Sequence, residues 1–138
     1  MPLSIGTDVE RYRGALALAV QEANRNVGCN LLIVASDPTI ELVEGAIEVG
    51  QESRDWGAGA FVSPDISRGE IVIYRPLMVG TDVEVIMHEI GHLLGLAHDR
   101  HGAMRPIVEE VIGGGVRVPR FTDKDAAALA ERYCSLGP

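Results

Sequence analysis

All four histidines of the chain fall between residues 88 and 101, at His88, His92, His98 and His101. His88 and His92 are four residues apart, so on a helix they share one face, one turn above the other. Two imidazoles placed that way can bind one metal ion, and neutral imidazole suits zinc. Glu89 stands about 100° around such a helix from His88. That makes it a poor ligand on the same face but places it to flank a water held there. A carboxylate in that position can take a proton from the water and later deliver it to a leaving group. His98 lies beyond His92 with Gly95 between them. Glycine reaches the positive φ of a helix end without steric cost, so a turn at Gly95 can return His98 to the metal as a third ligand. His101 is either a fourth ligand or a loop histidine, and the loop is the favoured reading.

Two readings of this cluster compete: a metal site that performs chemistry, and a metal clip that only holds the domain together. A structural zinc site is closed by four ligands, usually rich in cysteine, whereas a catalytic one keeps three protein ligands and an open position. Both cysteines, Cys29 and Cys134, are far from the cluster in sequence. The full pattern HExxHxxGxxH arises by chance in on the order of one chain in a hundred thousand at ordinary residue frequencies. The retained Glu89 then favours the catalytic reading over the structural one.

The elements that must position these residues are legible in outline. The chain has 138 residues, which fits one domain able to bury its own core. Apolar content is 46% and aromatic content 4%, so the core is expected to consist of Val, Ile, Leu and Ala. A net charge of -8 argues against nucleic acid or an anionic membrane as a general partner. No apolar run approaches the roughly 20 residues that span a bilayer. Cys29 and Cys134 are either two buried thiols or one bridge joining the two ends of the chain.

A first helix is expected over residues 8–26, with Val9, Tyr12, Leu16, Ala19, Val20 and Ala23 on one face and Gly28 ending it. The run NLLIVASD reads as a buried strand, LVEGAIEVGQ as a second, and GAGAFVS and EIVIYRPLM as two more, which can form a hairpin across the turn signal SPDISRG. MPLSI is expected to add an edge strand. The string GTDVE occurs twice, at residues 6–10 and 80–84, and reads as one helix-start device used twice. In it Thr7 and Thr81 cap while Glu10 and Glu84 reach back. Thr122 with Asp125 is a looser version. The second helix then starts at Thr81, carries His88 and His92, and ends at Gly95. A third helix runs from about residue 123 to 134. Strands followed by helices in this order define an α+β fold.

With these residues in place, the chain resembles the metzincin family of zinc endopeptidases. That family's signature is the string formed here by His88, Glu89, His92, Gly95 and His98, followed by a methionine turn, which HGAMRP would supply at Met104. Within the family it is most similar to the matrixin, or matrix metalloproteinase, branch: HEIGHLLGLAHD, GAMRP, GAGAFVSPDISRGEIVIY and FTDKDAAALAERY all match its style. The resemblance implies a twisted mixed sheet of four to five strands with three helices. It places one catalytic zinc in a cleft between an upper sheet subdomain and a small lower one. It implies hydrolysis of peptide bonds in extended polypeptides, with Glu89 as the base. Substrate would lie along the strand that includes Gly57, Ala58, Gly59 and Ala60. Pro106, Ile107 and Val108 would form one wall of the pocket for the side chain after the cleaved bond, or else an ordinary apolar loop.

The chain departs from the matrixin pattern at several points. It has no histidines for a second, structural zinc, and Gly59 stands where the strand's histidine would be. Asp99 follows the third histidine as in other metzincin branches, and either orients a ligand, buttresses the N-terminal amine or simply caps a turn. Arg105, Pro106 and Ile107 occupy the region where astacin-like members place a tyrosine. Calcium sites are not legible, since Asp65, Asp82 and Asp123 are scattered turn or cap residues. The family resemblance implies export, although MPLSIGTDVERYRG lacks the pattern of a signal peptide, and a monomer is the default expectation. The rival functional class is a catalytically silent zinc domain that binds a peptide or inhibitor without cutting it.

Overall fold

The structure is a computed structural model, and it describes residues 3–45, 58–62, 68–73, 82–97, 102–104 and 120–134. Five strands, β1 (Leu3–Thr7), β2 (Leu32–Val34), β3 (Ile40–Glu44), β4 (Ala58–Val62) and β5 (Gly69–Ile73), form one sheet in the order β2-β1-β3-β5-β4. Strands β1, β2, β3 and β5 run parallel, and β4 pairs antiparallel with β5 at one edge. Three helices complete the fold: α1 (Arg13–Val27), α2 (Asp82–Leu93) and α3 (Asp123–Leu129). The mixed sheet with three helices agrees with the α+β expectation.

Register shows why this sheet buries one set of side chains. Ile5 opposes Ile40, and Leu42 opposes Ile71 across the central strands. All four are buried, as is Ile73 on β5. Glu41 is exposed between buried Ile40 and Leu42, so this part of β3 alternates as a half-buried strand must. Helix α1 packs on β1 and β2, α2 packs on β4 and β5, and the two helices pack on each other. They therefore share one side of the sheet. Helix α1 contributes Leu16, Ala19, Val20 and Ala23 to the core, which are residues its periodicity selects. Each fully buried Leu, Ile or Val side chain contributes about 1.5–3 kcal/mol, and with so few aromatics these aliphatic residues carry most of the core.

Several expectations need correction. The strand within MPLSI is not at an edge: β1 is bonded to β2 on one side and β3 on the other. The edge is β2, where the Asn24 side chain donates to the Leu32 carbonyl (2.9 Å) and accepts from its N–H (3.1 Å), covering part of an otherwise open strand. Thr7 does not cap a helix. Its hydroxyl donates to the Leu42 carbonyl (2.7 Å) and accepts from Val9 N–H (3.0 Å), which ties β1 to β3. The helix starts later, at Arg13, behind a 3-10 turn at Glu10–Tyr12, with no side-chain cap. The strand expected over residues 42–51 begins earlier, at Ile40; residues 46–51 lie outside the described residues, and so does Thr81.

The third helix agrees with its expected start. Thr122 accepts from Asp125 N–H (3.1 Å) as its N-cap. Beyond Leu129 the helix widens into a π-helical turn, Ala130–Cys134. That turn ends at a disulfide, Cys29–Cys134, which closes a sequence separation of 105 residues. This resolves the open choice between two thiols and one bridge. In the chain-entropy account a loop of about 100 residues stabilises by roughly 4.7 kcal/mol through the unfolded state.

Thr122→Ala removes one cap and leaves the core intact. It is expected to lower unfolding free energy by about 1 kcal/mol in a urea titration, with an unchanged m-value.

Candidate metal centre

Helix α2 is unusual in being buried on nearly every side. Val83, Val85, Ile86, Met87, Ile90 and Leu93 are all in the core. A helix that is apolar all round belongs inside a domain, and this one carries His88 and Glu89 inside with it, with His92 half-buried beside them. His88 is 4% exposed and Glu89 0%. Glutamate is among the residues least often fully buried, so its presence here marks the helix as more than packing.

The two imidazoles are oriented by backbone carbonyls. His88 Nδ1 lies 2.8 Å from the Ala103 carbonyl oxygen, and His92 Nδ1 lies 2.9 Å from that of Leu96. A carbonyl oxygen can only accept, so each Nδ1 carries the proton and donates it. In the neutral ring that leaves a lone pair on each Nε2. The two Nε2 atoms are 3.1 Å apart, with the rings nearly perpendicular at 88°. Two lone pairs facing each other at this distance repel unless a cation lies between them. Two nitrogens each about 2.0–2.1 Å from one tetrahedral zinc are separated by about 3.3 Å, close to the separation found. A ligand atom of Glu89 joins the group, with all three atoms within 4.8 Å of one another. The donor set therefore fits a zinc ion, with Glu89 alongside.

The turn after α2 forms as glycine permits. Gly95 has φ +102°. Its N–H donates to the His92 carbonyl (3.0 Å), and Leu96 N–H donates to that of Gly91 (2.9 Å). This pair of bonds is the Schellman arrangement that ends many helices. It reverses the chain and sets the Leu96 carbonyl where His92 Nδ1 can reach it.

Met104 sits in a 3-10 turn, Gly102–Met104, and is fully buried. Its neighbour Ala103 supplies the carbonyl that orients His88. A Cβ added at Gly91 would come within 2.2 Å of Met104 Sδ and 3.2 Å of Phe121 Cε1. The glycine in HEIGH thus lets the methionine pack directly against that face of α2, and any side chain there would have to displace it. A mid-helix glycine costs about 1 kcal/mol relative to alanine. That cost was the available sequence signal for this close approach, and sequence reasoning missed it. It also missed the two carbonyls, which no side-chain pattern encodes.

Of the other candidate residues, Ala58, Gly59 and Ala60 lie in β4, at the sheet edge beside α2. His98, Asp99, His101, Gly57, Pro106, Ile107 and Val108 lie outside the described residues. A cavity of about 400 Å³ opens at the carboxyl ends of β1 and β2, lined by residues including Thr7, Asp8 and Ser36, and it shares no residue with the histidine cluster. Compared with protein-family models the chain matches none, and it matches no curated protein in sequence. No described helix is long and apolar enough to cross a membrane.

Gly91→Ala should force Met104 away from α2. A loss of about 1–3 kcal/mol is expected by thermal or denaturant unfolding, together with weaker zinc binding. Unchanged stability and zinc affinity would show that the contact is not needed.

Proposed function

We propose that the chain is a zinc-dependent endopeptidase of the metzincin type, closest to the matrixin branch, acting on extended polypeptides. The observation that carries this is the convergence of two carbonyl-oriented imidazoles, 3.1 Å apart at Nε2, beside a fully buried glutamate. A structural clip needs the two histidines but not the glutamate.

Further features support the same reading. The Gly95 turn sends the chain back toward the cluster just before His98, the third ligand of the proposed set. Met104 lies in a tight turn against the metal-binding helix, as the family's methionine turn requires. The sheet is parallel except for β4, an antiparallel edge strand beside α2. Such an edge can accept an extended peptide through main-chain hydrogen bonds.

When bound by His88, His92 and His98, zinc supplies Lewis-acid polarisation of the scissile carbonyl and activation of water at neutral pH. The chain's own groups do the rest. Ala103 and Leu96 hold the imidazoles in the tautomer that points Nε2 inward. Glu89 accepts a proton from the attacking water and delivers it to the departing amine. The burial of Glu89 keeps this proton transfer out of bulk solvent. The β4 backbone aligns the peptide, and residues 106–108 are proposed to line the pocket beyond the cleaved bond. One catalytic ion suffices, a protein or peptide is the partner, and the protein acts as a monomer. The Cys29–Cys134 disulfide favours an oxidising compartment, in keeping with the export that the resemblance implies.

Cleavage of a mixed peptide library should be abolished by a chelator and restored by zinc. Glu89→Ala should lower kcat by roughly 10²–10⁴-fold while one zinc per chain stays bound; full activity in that variant would remove Glu89 as the base. His98→Ala should weaken zinc binding and activity together. Zinc bound by the wild-type chain with no peptide cleaved would instead favour a silent domain that holds a peptide or inhibitor.

A further inference from the structure

The carboxyl end of α2 is held from outside by two consecutive residues of the π-helical turn, and the next residue is tied to the end of α1. Arg132 Nη1 donates to the Leu94 carbonyl (3.2 Å), and the Tyr133 hydroxyl donates to the same oxygen (3.0 Å). Leu94 is the last residue before the Gly95 turn, where helical carbonyls lack an intrahelical partner. Two donors on one oxygen fix that carbonyl in position and direction. The guanidinium also crosses the turn itself, because a Cβ at Gly95 would lie 2.3 Å from Arg132 Nη1. The third residue, Cys134, is bonded to Cys29, just past the left-handed Gly28 that ends α1. The ends of α1, α2 and α3 therefore meet at one covalently fastened corner.

That corner leads to the metal centre in few steps. The Leu94–Leu96 turn carries the carbonyl that accepts from His92 Nδ1 (2.9 Å). His92 is less buried than His88, so burial alone constrains its ring less. The same turn launches the segment toward His98. Both cysteines are partly exposed, which leaves the bridge open to a reductant.

Resting on the zinc-site reading above, we propose that Cys29–Cys134 is a redox-sensitive positioning clamp on the metal centre. It holds Arg132 and Tyr133 against the Leu94 carbonyl and, through the Leu94–Leu96 turn, fixes His92, so that breaking it weakens zinc binding by the folded protein. Arg132 and Tyr133 are positioning residues, since they touch neither metal nor substrate. A phosphine opens the bridge: the disulfide gains two electrons and two protons to give two thiols, and the phosphine takes oxygen from water to become its oxide.

The test measures zinc affinity of the whole chain by competition with a chromogenic chelator, at a temperature where circular dichroism shows every apo form folded. Four forms are compared: wild type, Cys29→Ser/Cys134→Ser, Arg132→Ala/Tyr133→Phe, and the combination of all four substitutions. Each pair is expected to weaken zinc about tenfold, as loss of groups supporting metal ligands does. The combination should be no weaker than either pair, because both act along one path. Cobalt substituted for zinc should show altered visible bands at saturation in the variants, which a change in global stability alone would not produce. A lower melting temperature with unchanged affinity and bands would overturn the clamp, leaving an ordinary stabilising disulfide. Additive losses would overturn the path through Arg132 and Tyr133. If the serine pair does not fold, the Arg132→Ala/Tyr133→Phe form, which keeps the bridge, decides: unchanged affinity there overturns the proposal. Absence of zinc binding by the oxidised wild type would fell the metal reading itself, a result distinct from equal binding by all forms.

Discussion

Two imidazole lone pairs facing each other at 3.1 Å are the constraint on which the rest of this structure turns. The arrangement is costly without a cation, and it is not accidental, because each ring is turned to it by a hydrogen bond on its far side. Those bonds come from Leu96, just past the end of α2, and Ala103, in the turn beside Met104. To supply them, the chain must reverse sharply after His92 and return beneath the helix within a few residues. Gly95, Gly91 and Met104 are best understood as what that path requires: a left-handed turn, room for the returning segment, and a side chain to fill the space beneath.

The sheet and α1 serve this helix by burying it. Polar groups are expensive to bury, and α2 brings one imidazole, His88, and two carboxylates inside, with Glu84 at 8% exposure and Glu89 at 0%. The aliphatic face supplied by Ile5, Leu42, Ile71, Leu16 and their neighbours holds the helix in place despite that cost. The disulfide adds stabilisation from the unfolded side. A chain of this length can fold on its core alone, so the bridge is not needed to close a deficient core. That directs attention to where it sits, at the meeting point of three helix ends.

What the sequence disclosed follows from the range of each signal. Helix α2 and the shared face of His88 and His92 were legible because the pattern is local: four residues make about one turn, and glycine ends it. The faces of α1 and α3 were legible for the same reason. The place of β1 was not, because strand residues show which face is buried but not which strands lie on either side. The repeated GTDVE string misled at its first copy, where the Thr7 hydroxyl is taken by Leu42 and Val9. A short polar side chain has the same local options in both copies, and the tertiary neighbour chooses between them. The disulfide was undecided because nothing local brings Cys29 near Cys134. Backbone acceptors such as Leu96 and Ala103 were invisible because every residue carries the same carbonyl.

This last point bears on how such a centre keeps its geometry. Side chains that ligate are read easily from their types, but here the groups that aim them are peptide carbonyls, whose positions depend on backbone path alone. A ligand held by a carboxylate can be lost by one substitution; a ligand held by a carbonyl is lost only when the path moves. The path after α2 is held by a glycine conformation and by two donors on Leu94, and the segment that supplies those donors is bonded covalently at its next residue. Precision at Nε2 is therefore a property of the corner where three helices end. The residues of the proposed clamp, Arg132, Tyr133 and Cys134, are the last described residues of the chain, far in sequence from the histidines.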